Sequence, residues 1–328
     1  MPPADTPARE LLGRLHVGDK RAVARLISLL EDGERARLRE VAETLNPITG
    51  RARVLGLTGA PGVGKSTLCD ALVAAFRAQG RTVGVLAVDP SSPFTGGALL
   101  GDRVRMQRHA LDDGVYIRSM ATRGQLGGLA WATPQAVRVL DAAGCELVLI
   151  ETVGVGQAEV EVAGLADTTL VVLAPGFGDA VQVAKAGILE VADLFVVNKA
   201  DRDGADTVAR DLRQMLHLGE ERPWDVPVVK TVAERGDRTR DGDSGVGELV
   251  ERIAAHHAYL EASGALERRR RARAGREVEE IALSSLRAEL GGLGHGEALD
   301  SLAEQVAAGK LGPYSAADQL LDQVRGTR

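Results

Sequence analysis

Apolar and polar positions change their period twice along this chain. From Ala8 to Leu45 a charged, glycine-poor stretch places Leu11, Leu12, Leu15, Val23, Leu26, Ile27 and Leu30 at helical spacing. From Arg51 to about Leu260, short apolar runs alternate with helix-prone ones. The strand candidates are Arg53 to Thr58, Val83 to Val88, Leu147 to Ile150, Thr169 to Leu173, Leu194 to Val197 and Val226 to Val229. This alternation predicts an α/β fold built on a mainly parallel, doubly wound sheet. After Ser263-Gly264 the helical period returns, first with Arg268 to Arg271, Arg273 and Arg276, then with Val278, Ile281, Ala282 and Leu286. Gly291-Gly292 is expected to interrupt it before a last pair of helices. The arginine run, flanked by Glu267, Glu277, Glu279 and Glu280, reads as a solvated helix face. Three parts follow: helices over 1–50, an α/β domain over 51–262 and a helical arm over 263–328.

The first chemical signal lies directly after the first strand candidate. Gly59-Ala60-Pro61-Gly62-Val63-Gly64-Lys65-Ser66-Thr67 fits G-x-x-x-x-G-K-[ST], and the Ala/Leu-rich stretch from Leu68 to Gln79 follows it as a helix. The glycines let successive backbone N–H groups turn toward phosphate oxygens. Lys65 supplies a point charge at the β and γ positions, and Ser66 rather than Thr67 offers its hydroxyl to Mg²⁺. A nucleoside triphosphate is the expected ligand.

The base is set by Asn198-Lys199-Ala200-Asp201, just past the run Leu194 to Val197. Ligands of open α/β sheets bind at that end of the strands. The Asp201 carboxylate can accept from both the ring N–H and the exocyclic amino group of guanine, a donor pair that adenine lacks. Charge-assisted hydrogen bonds contribute about 1.5–3 kcal/mol each, and a site built for such donors rejects a ligand without them by roughly 10⁴. GTP is therefore expected over ATP, with Asn198 bracing neighbouring loops and Lys199 lying along the base.

Composition narrows the class further. The 328 residues are 45% hydrophobic, enough for a substantial core, and the formal charge of −6 argues against nucleic acid as the main partner. Cys69 and Cys145 stand far apart with no C-x-x-C, so two inert buried thiols are expected. Met1 to Arg14 lacks an apolar signal-peptide core, and no stretch approaches the ~18 apolar residues of a membrane span. A cytoplasmic location without membrane attachment follows as the expectation.

Carboxylates at strand ends supply the remaining parts of a hydrolytic site. Leu147 to Ile150 runs into Glu151-Thr152-Val153-Gly154, where Glu151 can hold Mg²⁺ directly or through water and Gly154 can offer its N–H to a γ-phosphate oxygen. Val85 to Val88 runs into Asp89, and Gly101-Asp102-Arg103 follows downstream. Asp89 and Asp102 are two further acids: one could orient the attacking water or act as base, the other could join the Mg²⁺ shell. Phosphoryl transfer needs mainly positioning and charge stabilisation, which such groups with Lys65 provide. No residue stands in a Ras-like glutamine context, which leaves Gln157, within Val155-Gly156-Gln157, as a substitute, and Arg105, Arg108, Arg118 and Arg123 are candidates for transition-state charge.

Taken together, Asp89-Pro90-Ser91-Ser92-Pro93-Phe94 with Gly96-Gly97, Gly101-Asp102-Arg103, Glu151 to Gln157 and both nucleotide motifs resemble the MeaB/ArgK family of SIMIBI-class GTPases over nearly the whole chain. The resemblance implies a homodimer whose C-terminal arm engages the partner subunit. It also implies a chaperone of adenosylcobalamin-dependent acyl-CoA mutases, usually methylmalonyl-CoA mutase, that gates cofactor loading and protects the mutase. Carried over by motif, Lys65 contacts phosphates, Ser66, Asp102 and Glu151 surround Mg²⁺, Asp89 is catalytic or metal-linked, and Asn198, Lys199 and Asp201 read guanine. Thr231-Val232-Ala233 aligns with the last guanine loop of the family, which usually reads Ser-Ala or Thr-Ser-Ala. Val232 departs from that pattern.

Two other functions compete. GTPases of the same class that insert metals carry His-rich tracts or a C-x-C-C element, both absent here; His256 and His257, about 100° apart on a helix, read as helix-surface residues. A protein kinase of the ArgK type would need a catalytic loop H-R-D-x-x-x-x-N, which the chain lacks. No D-x-H-x-x-G pattern occurs either, so cobalamin is expected to belong to the client.

Overall fold

β-Prone apolar runs become seven strands of one sheet in the computed structural model, which describes residues 8–15, 18–31, 35–89, 107–109, 111–121, 132–152, 158–177, 188–219, 222–235, 244–292 and 295–326. Strands β1 (Arg53–Thr58), β2 (Val83–Asp89), β3 (Val115–Ala121), β4 (Leu147–Thr152), β5 (Thr168–Leu173), β6 (Leu194–Val197) and β7 (Val228–Lys230) lie in the order β3-β2-β4-β1-β5-β6-β7. Every neighbouring pair is parallel, and β1 sits between β4 and β5 with Leu55 opposite Leu149 on one side and Thr168 on the other. β4 and β5 are buried along their whole length, which is why Leu147 to Ile150 and Leu170 to Leu173 read as unbroken apolar runs.

β3 goes beyond the strands expected from the sequence. It is an edge strand paired with β2 alone. Arg118 interrupts its apolar pattern because the side chain reaches Ser28 Oγ at 2.9 Å and the Glu31 carboxylate on a helix outside the sheet. Arg118 is thus committed to packing, away from the transition-state role considered for it.

Helices cover both faces. On one side, α1 (Ala8–Leu15), α2 (Lys20–Glu31), α3 (Arg35–Leu45), α5 (Thr133–Ala142) and α6 (Ala158–Leu165) bury Leu15, Leu26, Ile27, Leu30 and Val41 against Val54, Leu86, Val88, Val148 and Ile150. On the other side, α4 (Lys65–Ala78) and α9 (Val246–Ala262) pack on Leu55, Leu57, Val83, Val85, Leu147 and Leu149. A third cluster joins α8 (Ala205–Leu218), which follows the short α7 (Ile188–Val191), to Val171, Phe195 and Val197. The split follows strand parity, since alternate residues point to opposite faces.

The chain divides into two compact units, Met1–Leu266 and Glu267–Arg328. The N-terminal helices belong to the first, where each fully buried Leu contributes about 1.5–3 kcal/mol. Of the helices that follow, α10 (Ala265–Gly292) ends at Gly291-Gly292, the break expected there, and two further helices follow it. α11 (His295–Ala307) and α12 (Pro313–Gly326) pack together with Leu302 and Ala316 buried. The second unit leaves Val278, Leu286, Leu299 and Tyr314 exposed. No described helix is long and apolar enough to cross a membrane.

Candidate functional site

β1 ends at Thr58, and Gly59, Ala60, Pro61, Gly62, Val63 and Gly64 form the loop that opens α4. At Gly59 (φ 138°) a Cβ would lie 2.1 Å from the Val172 carbonyl oxygen, so only glycine lets the loop leave the sheet beside β5. The α4 N-terminus, with its backbone N–H groups and positive dipole end, is directed at whatever the loop holds. Lys65 folds back over the loop: its Nζ donates to Gly59 O at 2.7 Å and Ala60 O at 3.0 Å.

Parity explains the next contact. Glu151 shares the face of Leu147 and Leu149, the face that α4 covers, and β4 is the immediate neighbour of β1. Its carboxylate therefore meets the first turn of α4, and Ser66 Oγ donates to Glu151 Oε1 at 2.6 Å with both side chains buried. Thr67 follows Ser66 on α4 and faces a pocket that Asn198 and Asp201 also line. The Ser66–Glu151 pair is a hard-oxygen set suited to Mg²⁺, which keeps several waters and phosphate oxygens and so needs few protein ligands. Among the described residues there is no group of three or more His, Cys, Asp or Glu arranged to hold a metal ion.

Asp89 ends β2 with its backbone beside Ala121, while its side chain lies outside the described residues. Asp102, Gly154, Gln157, Arg105 and Arg123 also lie outside them. Arg108 is bound to Asp70 on α4, through Nε to Oδ1 at 2.8 Å.

The second loop follows β6. Asn198 is buried and links three segments with one amide: Nδ2 donates to Val63 O at 2.9 Å, while Oδ1 accepts from Thr231 Oγ1 at 3.1 Å and Ala233 N at 3.2 Å. Lys199 has a left-handed backbone and its Nζ donates to Gly62 O at 2.6 Å. Asp201 is exposed and lines a pocket together with Gly64, Thr67, Asn198, Lys199, Val232 and Ala233. Val232 N donates to Ser244 O at 2.9 Å, so the amides of Val232 and Ala233 are both engaged within the protein.

The histidine pair departs from the surface placement expected of it. His256 is fully buried between Thr168, Asp193 and the Trp224 ring, with Thr168 Oγ1 and His256 Nδ1 2.9 Å apart, and His257 is buried beside Glu261. α9 lies flat on the sheet, and polar residues near strand starts give it polar partners there. The thiols agree with their expected inertness. Cys69 and Cys145 are both buried, and burial pushes the Cys145 thiol up to about 12.

Three neighbours of these loops carried no motif. Phe177 packs against Gly62, while Arg202 and Glu234 join the lining of the second pocket. For Arg202 and Glu234 the only sequence signal is adjacency to Asp201 and Ala233. For Phe177 it is the turn Ala174-Pro175-Gly176 at the end of a buried strand.

A parallel sheet with a glycine loop between β1 and α4, a hydroxyl–carboxylate pair beneath it and an N-K-x-D loop beside it defines a P-loop GTPase. The chain belongs to the MeaB family: the description of that family, methylmalonyl Co-A mutase-associated GTPase MeaB, matches residues 23–292. It is 47% identical to a provisionally named GTPase of Pyrococcus abyssi over 97% of each chain, and 39% identical to the GTPase ArgK of Escherichia coli over 61% of each. A protein of Geobacillus kaustophilus named fused isobutyryl-CoA mutase is 37% identical over 71% of this chain and 23% of its own length. A solved structure named LAO/AO transport system kinase covers 99% of this chain and is itself covered in full, with a TM-score of 0.73 at 24% identity, a likeness of fold.

Proposed function

We propose that this GTPase serves an adenosylcobalamin-dependent acyl-CoA mutase, with methylmalonyl-CoA mutase as the first client to test, and that it gates cofactor loading and protects the mutase. The observation that carries this reading is the similarity to a fused isobutyryl-CoA mutase over 246 residues. A GTPase of this kind joined to a mutase in one chain is what a dedicated working partnership would leave behind.

The geometry supports the following nucleotide roles. The backbone N–H groups of Gly59 to Gly64 and the start of α4 bind the β and γ phosphates, and Lys65, already centred in the loop, places its charge on the same oxygens. Ser66 and Glu151 would hold Mg²⁺, whose charge offsets that of the triphosphate. Asp89 and Asp102 remain candidates to orient water or complete the metal shell. Asp201 accepts from guanine, the stem of Lys199 lies along the base, and Asn198 with Thr231 to Ala233 shapes the pocket wall.

The helices of the second unit act in this reading as the dimerisation arm. Val278, Leu286, Leu299 and Tyr314 are apolar surface of the kind a partner subunit covers. The client experiment is GTP turnover with Mg²⁺, alone and with added methylmalonyl-CoA mutase, with ATP as control. Stimulation confined to GTP and the mutase is the expected result. Turnover indifferent to methylmalonyl-CoA and isobutyryl-CoA mutases alike would refute the partnership and leave the GTPase standing.

A further inference from the structure

The ring of Phe177 touches the middle of the phosphate loop. A Cβ built on Gly62 would lie 2.8 Å from Phe177 Cε1, so the ring packs closely on the loop backbone and leaves no room for a side chain there. Phe177 is held there by its own N–H, which donates to Ala174 O at 3.2 Å. Lys199 Nζ stands over the same ring, 4.4 Å from its centroid, while donating to Gly62 O at 2.6 Å. An aromatic face, a carbonyl and an ammonium thus meet on one residue of the loop.

Lys199 reaches that point from an uncommon backbone. Its φ of 55° lies in the left-handed region, costly for a residue with a Cβ and found where the surroundings enforce it. The enforcing bonds run on both sides, from Asn198 N to Leu173 O at 2.8 Å and from Ala200 N to Thr231 O at 3.0 Å. The backbone aims the side chain, and Phe177 is the surface on which its charge lands.

We propose that Phe177 is a positioning residue for nucleotide binding. Its ring face holds the Lys199 ammonium on Gly62 O, and so fixes the Lys199 stem as a platform for the base and the loop tip for the phosphates. This rests on the reading of Asn198 to Asp201 as the base-binding loop. A ring face attracts a cation electrostatically, whereas an aliphatic side chain of similar size fills the space without that attraction. Phe177 thereby couples the base half of the site to the phosphate half through one side chain.

The test is a double-mutant cycle on GDP and GTP affinity, measured with fluorescent nucleotides, using Phe177→Leu, Lys199→Met and the double variant, with thermal unfolding followed in parallel. Phe177→Leu is expected to weaken both nucleotides by about 2- to 30-fold. The double variant should bind no worse than Lys199→Met alone, because the ring then has no ammonium to hold. Replacing Phe177 by pentafluorophenylalanine keeps the ring's shape while removing its negative face, and should cost the same affinity without lowering the unfolding temperature. Additive losses in the cycle, or unchanged affinity in the fluorinated protein, would overturn the proposal. If Lys199→Met itself leaves nucleotide affinity unchanged, the base-loop reading fails instead.

Discussion

The two ends of the sheet carry similar buried side chains and use them differently. At the amino ends of the strands, Asp167 Oδ2 accepts from Val54 N at 3.1 Å, Asp193 Oδ2 accepts from Thr169 N at 2.8 Å, and Trp224 Nε1 donates to Asp193 O at 2.9 Å. His256 and Thr168 complete that cluster and fasten α9 to the sheet. At the carboxyl ends, Lys65, Ser66, Glu151 and Asn198 are also buried, but their bonds converge on one glycine loop and the helix that follows it. Burial of polar groups is therefore a poor marker of a site taken alone. What distinguishes the end proposed for the site is that its partners are loop carbonyls and one hydroxyl–carboxylate pair, which a ligand or metal ion can replace; at the other end they fasten strands and a helix together.

The largest expected effect breaks this comparison from the carboxyl side. Lys65→Ala should lower GTP turnover by about 10²–10³-fold, the scale of losing one well-placed donor, with little change in thermal unfolding. Normal turnover would show that the chemistry lies elsewhere. From the amino side, His256→Ala should cost about 2–3 kcal/mol in urea unfolding, since it leaves Thr168 and Asp193 buried with a partner removed. Its KM for GTP should stay put, and a selective loss of turnover in a stable protein would erase the distinction.

Asn198→Ala sharpens the contrast, because Asn198 is proposed for the site yet forms bonds of the structural kind. It should weaken GTP and GDP about tenfold and also destabilise the fold by about 1–2 kcal/mol, read by nucleotide titration and unfolding of the same sample.

The smallest effect lies at the amino end near the sheet edge, where Arg77 meets Asp112 just before β3. The Arg77 guanidinium holds the Asp112 carboxyl below its ordinary 3.8, aided by the Gly114 N–H. The folded chain thus binds that proton less tightly than the unfolded one. The stabilisation is fully present above about pH 4 and is lost as the pH falls through the lower folded value. For a partly exposed pair it amounts to at most about 1 kcal/mol. The stability difference between the parent and Asp112→Asn should shrink from pH 7 to pH 3; a constant difference would detach it from that charge.

How much of this was legible beforehand follows from where each residue's partners lie. The phosphate loop and Asn198 to Asp201 are contiguous motifs between predictable elements, so their position at the carboxyl ends of β1 and β6 could be read directly. Glu151 was legible as a strand-end carboxylate. β3 was not, because an edge strand that pairs with Glu31 through Arg118 loses the apolar alternation that announces a strand. His256 was misread because its burial depends on Trp224 and Asp193, distant in sequence. Phe177 shows the same limit at the site itself, since its contact with Gly62 exists only once β5 lies beside β1.

The measurement that bears most directly on the central claim, one guanine nucleotide site assembled from two loops, is the affinity of the parent and Asp201→Asn for GTP and for xanthosine triphosphate. Turning the Asp201 acceptor into a donor should weaken GTP and strengthen the xanthine nucleotide, so that their order reverses. GTP affinity unchanged by Asp201→Asn would contradict the account.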